Sequence, residues 1–321
     1  MNAPDETLHT LAQLCKGTGD PLRLEILRAL KTDSFGVLEL CDIFAIKQPA
    51  MSHHLKVLAN AGAVTTRREG NSIFYRRELA DLSQPWGHLL AALFSAVDQI
   101  ALSDTTARNI VQIKHEREEQ AREFFDRHAE QFREQQDLIA PFDQYVDAAT
   151  DLLLQTEPDK QQRVLEIGPG EGEFLPTLAG IFHNVTAIDI SKEMLDKADA
   201  LIRHNELNNV HLLKADTDDA IKQGIRVERV VCNMVLHHVP SPADVFHDCA
   251  QLLEDGGSLI VTDLCRHDQG WAKSMCGDLW LGFDPEELTG WAQDAGLESK
   301  ESLYLGLRNG FQIQIRRFDK P

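Results

Sequence analysis

The sequence lacks several features that would place it outside the globular proteins. None of its apolar runs approaches the ~20 residues that a membrane-spanning helix needs, and its start, MNAPDETLHTLAQLCKG, lacks the basic stretch and apolar core of a secretory signal. Its six cysteines never form a Cys-x-x-Cys pair, which argues against a disulfide framework and a structural zinc site. Internal repeats and low-complexity tracts are also missing. We therefore expect a cytoplasmic protein with reduced thiols, and a chain of 321 residues favours two domains.

Positive charge is scarce, but it is unevenly distributed. The chain carries 32 Lys and Arg residues against 51 Asp and Glu residues, a net charge of −19. Residues 1–100 hold 10 basic and 11 acidic residues, a net of −1, whereas residues 101–321 hold 22 and 40, a net of −18. Within residues 45–80, six basic residues face two acidic ones. Because a phosphate-facing surface needs only local positive charge, this region can bind DNA, whereas the C-terminal half should stay away from the duplex.

Residues 1–101 show the pattern of several short helices followed by a β-hairpin. The helices predicted within residues 6–31 are separated by a glycine-containing turn, where Asp20 fits an N-cap and Pro21 fits the first helical position. Two more helices follow at about residues 36–44 and 48–60. The predicted hairpin consists of Val64–Glu69 and Ser72–Arg77, which flank Gly70-Asn71.

The predicted helix at residues 48–60 has one apolar and one polar face. Met51, Leu55 and Leu58 form the apolar face. The side chains left pointing outward are Gln48, Ser52, His53 and Lys56. Polar and basic groups of this kind suit base edges and phosphates in the major groove. The hairpin that follows would form a wing whose arginines approach the minor groove: Arg67, Arg68 and Arg76.

Over about the first hundred residues, the strings DPLRLEILRAL, QPAMSHHLKVLANAGAV and RREGNSIFYRR resemble the ArsR/SmtB family of winged-helix repressors. The resemblance implies a homodimer, joined through helices near residues 5–15 and 86–101, that binds an inverted repeat in double-stranded DNA. Many members sense metals through a Cys-x-Cys that precedes the recognition helix, but Cys41 has no cysteine nearby. We therefore assign no metal ligands. The alternative is a winged helix that makes only protein contacts, against which the basic hairpin and the polar helix face argue.

Residues 102–144 are predicted to be a helical linker, because Ala107–Gln136 mixes acidic and basic residues along a helical pattern. Beyond it, β-branched segments alternate with helices. The strand candidates are Val164–Ile167, Val185–Ile190, Val210–Leu213, Val230–Asn233 and Ser258–Asp263. This alternation predicts an α/β domain over residues 145–321, in which helices cover both faces of a Rossmann-like, mostly parallel sheet. The whole chain is thus α/β with an N-terminal α+β winged helix-turn-helix.

A glycine-rich turn follows the first of these strand candidates. Gly168, Gly170 and Gly172 form a G-x-G-x-G pattern just after Glu166, and glycine lets the backbone approach a ligand that a Cβ atom would block. The pattern differs from the G-x-G-x-x-G of dinucleotide-binding proteins, and no phosphate-binding lysine follows it. An acidic residue, Asp189, ends the second strand candidate, where a carboxylate can accept hydrogen bonds from ribose hydroxyls.

These features resemble the class I S-adenosylmethionine-dependent methyltransferase fold over roughly residues 145–321. The resemblance implies that the amino-acid end of the ligand lies near Glu166 and Gly168, and its ribose at Asp189. The remaining residues that it places around S-adenosylmethionine or S-adenosylhomocysteine are Gly170, Gly172, Ile190, Met194, Asp216, Thr217 and Asn233, with adenine beside Asp216 and Thr217. A generic NAD-binding Rossmann domain is the alternative at this point.

No catalytic residue is assigned. His237 and His238 lie in a strand-to-helix turn, and methyltransferases without a catalytic histidine carry histidines there too, so a positional role is favoured. The aromatic-rich segment between Trp271 and Trp291 is interpreted as core and lid packing rather than as a site for a methyl acceptor.

The joined organisation resembles ArsR-type regulators fused to methyltransferase-like domains, which include S-adenosylhomocysteine-responsive repressors of methionine-cycle genes. The leading hypothesis is a DNA-binding repressor controlled by S-adenosylhomocysteine or S-adenosylmethionine. One alternative is an active small-molecule methyltransferase that represses its own operon. Another is a scaffold with a vestigial pocket.

Overall fold

A computed structural model of the chain describes residues 4–69, 72–128, 130, 132–159 and 161–321. The chain divides into two compact units, Met1–Arg117 and Glu118–Pro321. The division falls inside the segment that the sequence indicates as a helical linker. No helix of the described residues combines the length and the apolar character that crossing a membrane requires.

The N-terminal unit consists of helices and a small antiparallel sheet. Its helices are α1 (Pro4–Thr18), α2 (Pro21–Ala29), α3 (Val37–Phe44), α4 (Gln48–Asn60), α5 (Pro85–Asp98) and α6 (Asp104–His128), of which α6 runs on past Arg117. Its strands are β1 (Phe35–Gly36), β2 (Val64–Glu69) and β3 (Ser72–Arg77), in the order β1-β3-β2. The predicted helices and hairpin strands are therefore present, although the turn residues Gly70-Asn71 lie outside the described residues.

Local signals set the helix boundaries in this unit. The Asp20 carboxylate accepts a hydrogen bond from the Arg23 backbone N–H at 3.0 Å, and Pro21 begins α2, so the predicted N-cap is confirmed. Gly62 follows α4 with a φ of 68°, a left-handed conformation that glycine adopts without strain. Met51, Leu55 and Leu58 of α4 are fully buried in the core of the unit, as their spacing predicts.

Hydrogen bonds attach the first half of α6 to α3. The Arg117 guanidinium donates to both carboxylate oxygens of Glu39, at 2.8 and 2.6 Å. About two turns earlier along the same helix, the Asn109 amide donates to the carbonyl oxygens of Asp42 and Ile43, at 3.2 and 2.9 Å. Because these carbonyls end α3, the amide satisfies groups that a helix terminus leaves without intrahelical partners.

The C-terminal unit is built on a seven-stranded sheet. Its strands are β4 (Arg163–Ile167), β5 (Asn184–Asp189), β6 (Val210–Lys214), β7 (Val227–Asn233), β8 (Leu253–Leu264), β9 (Glu298–Gly306) and β10 (Gln312–Asp319). The order is β6-β5-β4-β7-β8-β10-β9, in which the first five strands are parallel and the last two pair antiparallel. The expected Rossmann-like, mostly parallel sheet is confirmed, and each of the five strand candidates corresponds to one of its parallel strands, although Ile190 lies just beyond the end of β5.

Helices precede this sheet in the chain and connect its strands. They are α7 (Phe132–Ile139), α8 (Val146–Leu154), α9 (Leu175–Ile181), α10 (Lys192–His204), α11 (Thr217–Lys222), α12 (Pro242–Leu252), α13 (Trp271–Met275) and α14 (Pro285–Asp294), with 3₁₀ turns at Phe142–Gln144 and Leu236–His238. The aromatic-rich segment packs as the sequence indicates, since Trp280 and Phe283 are buried and the ring centroids of Phe283 and Trp291 are 5.3 Å apart.

The helical linker differs from the prediction of one helix over Ala107–Gln136. Instead, α6 ends at His128 and α7 begins at Phe132, while residues 129 and 131 lie outside the described residues. The second helix has tertiary contacts of its own. Ile139 is fully buried, and the Asn309 amide donates to the carbonyls of Leu138 and Ile139 at 2.9 and 2.8 Å. A continuous helical pattern in the sequence cannot reveal that its last turns are held by a loop 170 residues later.

Replacing Phe246 by alanine should destabilise the C-terminal unit. Phe246 is fully buried on α12, and its ring centroid lies 5.3 Å from that of Phe318 and 5.9 Å from that of Trp291. Removal of a buried aromatic ring costs about 3–5 kcal/mol. Urea unfolding followed by tryptophan fluorescence measures this loss. Leu154→Ala is the control, because Leu154 is 47% exposed and its removal should change the free energy of unfolding by less than about 0.5 kcal/mol. Equal losses in both variants would contradict this assignment of the core.

Candidate functional site

The order of the parallel strands reverses beside β4. From β4 the chain proceeds to β5 and β6 on one side of the sheet, and then to β7 and β8 on the other side. In open α/β sheets, ligands bind outside the carboxyl ends of the strands at such a switch point. Glu166 lies near the end of β4, Asp189 ends β5, and Asn233 ends β7, so the fold brings these three predicted residues to one edge of the sheet.

The glycine-rich turn after β4 has a backbone that needs glycine. Gly168, Gly170 and Gly172 have φ values of 62°, 56° and 89°, all in the left-handed region. A Cβ atom on Gly168 would lie 2.6 Å from Cγ2 of Val235, which follows β7. The backbone of the turn is therefore packed tightly against the segment that follows β7. On its other side, the Gly168 N–H donates to the Ile188 carbonyl of β5 at 2.8 Å.

Two buried polar side chains that lack hydrogen-bond partners among the described residues lie on the neighbouring strands β4 and β7. Glu166 is 2% exposed, its Oε2 has no hydrogen-bond partner among the described residues, and burial raises its pKa to about 8. The amide nitrogen and oxygen of Asn233 are likewise buried and unpartnered within the described part of the chain. Because buried polar atoms in native proteins are nearly always hydrogen-bonded, such groups on adjacent strands indicate a place for a polar ligand. The Glu166 and Asn233 oxygens can accept hydrogen bonds from the ammonium group of an amino-acid moiety, and the Asn233 amide nitrogen can donate to its carboxylate.

Asp189 is held by the chain that follows it. Its Oδ1 accepts a hydrogen bond from the Ser191 N–H at 2.8 Å. Burial raises the pKa of Asp189 to about 6, with a further contribution from the negative charge of Asp126, and the backbone N–H groups of Ser191 and Ile190 oppose this rise. The Ser191 hydroxyl donates to Oδ1 of Asp126 at 3.0 Å and accepts from the Met194 N–H at 3.3 Å, which caps α10. Met194 is buried, as its predicted packing requires.

The residues predicted to contact adenine have structural partners of their own. Asp216 is exposed and caps α11, since its Oδ1 accepts from the Asp219 N–H at 2.7 Å. The Thr217 hydroxyl donates to Oδ2 of Asp248 at 2.5 Å. Both residues follow β6 at the same edge of the sheet as Asp189, and their contact with adenine stays a prediction.

The polar face of α4 is exposed in the N-terminal unit. All four side chains predicted to reach DNA from this helix are exposed: Gln48, Ser52, His53 and Lys56. The opposite face is buried, so the helix has the two-sided character that a recognition helix needs. Binding of DNA by this face stays a prediction.

The structure corrects the set of wing arginines. Arg68 is exposed and Arg76 is partly exposed, as a phosphate contact requires. Arg67, in contrast, is only 2% exposed and forms an ion pair with the buried Glu69. The cause is the two-residue period of a strand, which places residues 67 and 69 on the same face of β2 and Arg68 on the other face. Arg67 is therefore engaged within the protein, contrary to its predicted contact with DNA.

Sequence reasoning missed the carboxylates that surround His237 and His238. His237 is fully buried, and its Nδ1 lies 2.8 Å from Oδ1 of Asp263. Burial lowers the pKa of His237, but Asp263 and Asp278 outweigh this effect and raise it to about 8. Burial and the neighbouring His237 lower the pKa of His238 well below its usual range. No local pattern links these residues, because Asp263 and Asp278 lie 26 and 41 positions from His237 and are brought near only by the packing of β8 and the segment after α13.

Comparisons with known proteins agree with this geometry. Residues 113–301 match a family model described as a methyltransferase domain, and residues 20–66 match one described as bacterial regulatory protein, arsR family. The ubiquinone biosynthesis O-methyltransferases of Xanthomonas axonopodis pv. citri (strain 306) and Coxiella burnetii (strain Dugway 5J108-111) are 28% and 27% identical to the chain over 170 residues. These matches cover 48% of this chain and 71% and 72% of the relatives.

One solved structure supports the fold of the C-terminal unit. It is a methyltransferase in complex with the Haloferax volcanii Trm112 methyltransferase activator, which matches with a TM-score of 0.50 at 17% identity. The match covers 61% of this chain and 97% of that chain. At this identity the likeness shows the fold alone.

Gly168→Ala should weaken the binding of S-adenosylhomocysteine at least tenfold. The new Cβ would clash with Val235, and a left-handed φ costs a residue other than glycine roughly 1–2 kcal/mol, so the turn would have to move. Isothermal titration calorimetry of the whole chain measures the affinity. Gly180→Ala is the matched control, since it lies in α9 with no atom within 4 Å of its Cβ position. Unchanged affinity in Gly168→Ala would show that this turn does not cradle the ligand.

Affinity for S-adenosylhomocysteine should fall as the pH decreases from 7 to 5. The folded-state pKa of Asp189 is about 6, so this carboxyl is ionised above that pH and neutral below it. A charged acceptor of the ribose hydroxyls is worth about 1.5–3 kcal/mol, so nearly all binding should come from the ionised form, and affinity should fall by up to about tenfold, which is roughly the ratio of the ionised fractions at pH 7 and pH 5. Titrations at a series of pH values measure the effect. Asp189→Asn should bind more weakly with a flat profile, and a wild-type profile equally flat would exclude Asp189 as the ribose acceptor.

Proposed function

Because the chain belongs to the methyltransferase domain family and also carries an arsR-family helix-turn-helix, we propose that it is a transcriptional repressor controlled by an adenosyl ligand. The ligand is S-adenosylhomocysteine or S-adenosylmethionine, bound at the carboxyl ends of β4, β5 and β7. The DNA is an operator read by the exposed face of α4. The observation that carries the proposal is the bonding of the two halves of α6.

The second half of α6 is bonded to the predicted ribose site. Asp126 of α6 accepts a hydrogen bond from the Ser191 hydroxyl, and the Ser191 N–H donates to Asp189. A ligand that engages Asp189 therefore acts on a carboxylate two hydrogen bonds away from α6. The negative charge of Asp126 also matters, because it raises the pKa of Asp189. A ligand that changes the hydrogen bonds of Asp189 would therefore change the repulsion between the two carboxylates.

The first half of the same helix is bonded to the element that precedes the recognition helix. Arg117 and Asn109 hold the two ends of α3, through Glu39 and through the carbonyls of Asp42 and Ile43. A short connection with Ala45 in the left-handed conformation then leads into α4. If ligand binding moved α6 or made it more or less ordered, the positions of α3 and α4 would consequently change. A single helix is thus bonded to the predicted ribose site through one half and to α3 through the other, which provides a physical route for coupling between ligand and DNA.

The size of the expected response follows from typical coupling energies. Two ligands on one protein usually influence each other by ~1–3 kcal/mol, which corresponds to a change in operator affinity of roughly 5- to 150-fold. The coupling is reciprocal, so operator DNA should change the affinity for the adenosyl ligand by the same factor.

We also propose that the protein acts as a homodimer on an inverted repeat upstream of genes of the methionine and S-adenosylmethionine cycle. Apolar side chains exposed on the terminal helices of the DNA-binding unit support the dimer. Leu8 on α1 is 64% exposed, and Leu89 on α5 is 38% exposed. A second copy would cover these side chains, as expected for an exposed apolar surface.

Fluorescence anisotropy tests the proposal, with the whole chain and a DNA fragment from the gene's own upstream region. Titration with S-adenosylhomocysteine and S-adenosylmethionine separately should change operator affinity 5- to 150-fold for one of them. Asp126→Ala should keep both DNA binding and ligand binding but lose most of this response, because it removes the bond to Ser191. Glu123→Ala is the control, since Glu123 pairs only with Arg127 on the same exposed surface of α6 among the contacts that the structure describes.

Operator affinity that ignores saturating amounts of both ligands would refute the sensor. A full response in Asp126→Ala would leave the sensor in place but refute the route through α6.

The second candidate is methyl transfer to a small molecule, with DNA binding serving autoregulation. The identity with O-methyltransferases favours it, because those relatives cover much of the same domain. It predicts turnover of labelled methyl groups onto an acceptor. Asp189→Ala separates the readings: it should abolish the DNA response of a sensor, abolish the turnover of an enzyme, and have no effect on a scaffold whose pocket is vestigial.

A further inference from the structure

Two histidines and an aspartate converge in a buried cluster beside the adenosyl-ligand site. His237 and His238 occupy the 3₁₀ turn after β7, and Asp278 lies in the segment after α13. Each of the three offers a potential ligand atom, and these atoms all lie within 4.8 Å of one another. The residues are 0%, 6% and 2% exposed. We propose that His237, His238 and Asp278 bind a divalent transition-metal cation, for which Zn²⁺ is the expected ion.

The distances suit a tetrahedral ion. Nε2 of His237 lies 3.9 Å from Oδ1 of Asp278, and Nδ1 of His238 lies 3.7 Å from the same oxygen. Zinc bonds of about 2.0–2.1 Å in a tetrahedral site separate neighbouring ligand atoms by roughly 3.3–3.5 Å. A contraction of a few tenths of an ångström would bring each histidine nitrogen to this spacing from the Asp278 oxygen, and the ligand atoms of the two histidines already lie within 4.8 Å of each other.

Asp263 orients the first histidine for this task. Its Oδ1 lies 2.8 Å from Nδ1 of His237 and also accepts the Leu264 N–H at 2.7 Å, so the carboxylate is fixed in place. When the ring is neutral, as it must be to bind a metal, its proton resides on Nδ1, and the lone pair is on Nε2, the nitrogen that lies 3.9 Å from Oδ1 of Asp278. Nε2 has no hydrogen-bond partner among the residues that the structure describes. Metal-binding histidines almost always have such a second partner, which sets the tautomer and increases the basicity of the ligand nitrogen.

The second histidine can take the required tautomer at low cost. Nδ1 of His238 lies 3.3 Å from the Gly277 carbonyl, which is long for a hydrogen bond, so little is lost when this nitrogen binds a metal instead. Its Nε2 lies 3.0 Å from the side-chain nitrogen of Gln136. With the proton on Nε2, a half-turn of the Gln136 amide presents its oxygen as the acceptor.

The donor set selects the class of metal. Two imidazole nitrogens and one carboxylate oxygen suit zinc and related transition metals, whereas Mg²⁺ and Ca²⁺ prefer oxygen ligands throughout. Three protein ligands leave a fourth position for water. Such an ion would cross-link the turn after β7 to the segment after α13, close to Asn233. The sequence assigned no metal ligand, because Asp278 lies 40 residues beyond His238. The inference goes beyond the proposed repression and does not depend on it.

The test uses the whole chain, freed of metal with a chelator and then titrated with Zn²⁺ alone by calorimetry. We expect one ion per chain, and a higher midpoint of thermal unfolding with Zn²⁺ than without it. Asp278→Asn and His237→Gln should each abolish binding, and Asp263→Asn should weaken it about 10- to 100-fold through loss of the orienting partner. His211→Gln, which removes an exposed histidine of β6, should bind as the wild type does.

Co²⁺ serves as a second probe, because its visible spectrum distinguishes four-coordinate from six-coordinate ions and reveals thiolate ligands. A four-coordinate spectrum without thiolate bands is expected. The proposal fails if the wild-type chain binds no stoichiometric Zn²⁺, if His237→Gln or Asp263→Asn binds Zn²⁺ as tightly as the wild type does, or if the Co²⁺ spectrum shows cysteine ligation. Circular dichroism confirms that each variant is folded, and Asp263→Asn decides the matter if the changes to the ligands themselves prevent folding.

Discussion

The reversal of strand order beside β4 is the constraint on which the rest of the C-terminal unit depends. Because β5 and β7 flank β4 and run parallel to it, the carboxyl ends of three strands open at one edge of the sheet. Glu166, Asp189 and Asn233 meet there although 67 residues separate the first from the last. The glycines after β4 then allow the backbone to stay close to this edge. Burial of polar atoms without partners is costly, and a bound ligand that supplied the missing hydrogen bonds would remove that cost, as the proposed function requires.

The helix α6 is the element through which the proposed repressor would couple this edge of the sheet to α3. Its bonds at both ends are few and polar, and hydrogen bonds to charged groups such as Glu39 and Asp126 are individually worth only about 1.5–3 kcal/mol. That weakness suits a switch, since a coupling of a few kcal/mol can be changed by one ligand, whereas a large apolar interface would hold a single state. The acidic character of the C-terminal part of the chain adds to the effect, because its approach to a duplex would be repelled at distances within a Debye length.

The buried cluster around His237 shows a different physical logic. Carboxylates and imidazoles that are removed from water require mutual hydrogen bonds or a cation, because burial of charge is costly without compensation. Asp263 meets this requirement for one nitrogen of His237 and leaves the other directed inward. The same burial that removes these histidines from contact with solvent makes them suited to hold an ion and poorly suited to exchange protons with an acceptor.

A feature of the fold or of the candidate site could be predicted from the sequence when its signal lies within a few neighbouring residues. The faces of α4, the N-cap at Asp20 and the five parallel strands follow from spacing over a few residues, and the structure contains them all. The antiparallel strands β9 and β10 were missed, because β9 begins with a polar, exposed stretch that an edge strand tolerates and a pattern of β-branched residues does not reveal. Likewise, the wing arginines looked alike in sequence until the pairing of Arg67 with Glu69 distinguished them.

The sequence by itself determined the two kinds of domain, the two-sided helix α4 and the glycine-rich turn, since helix and strand periodicity and glycine conformation are properties of neighbouring residues. Only the tertiary structure decided which side chains act together. Asp126 reaches Ser191, and Asp278 reaches the histidine pair, through packing between elements that are distant along the chain. Those contacts depend on how whole elements exclude water from a shared core, and no short stretch of sequence carries that information.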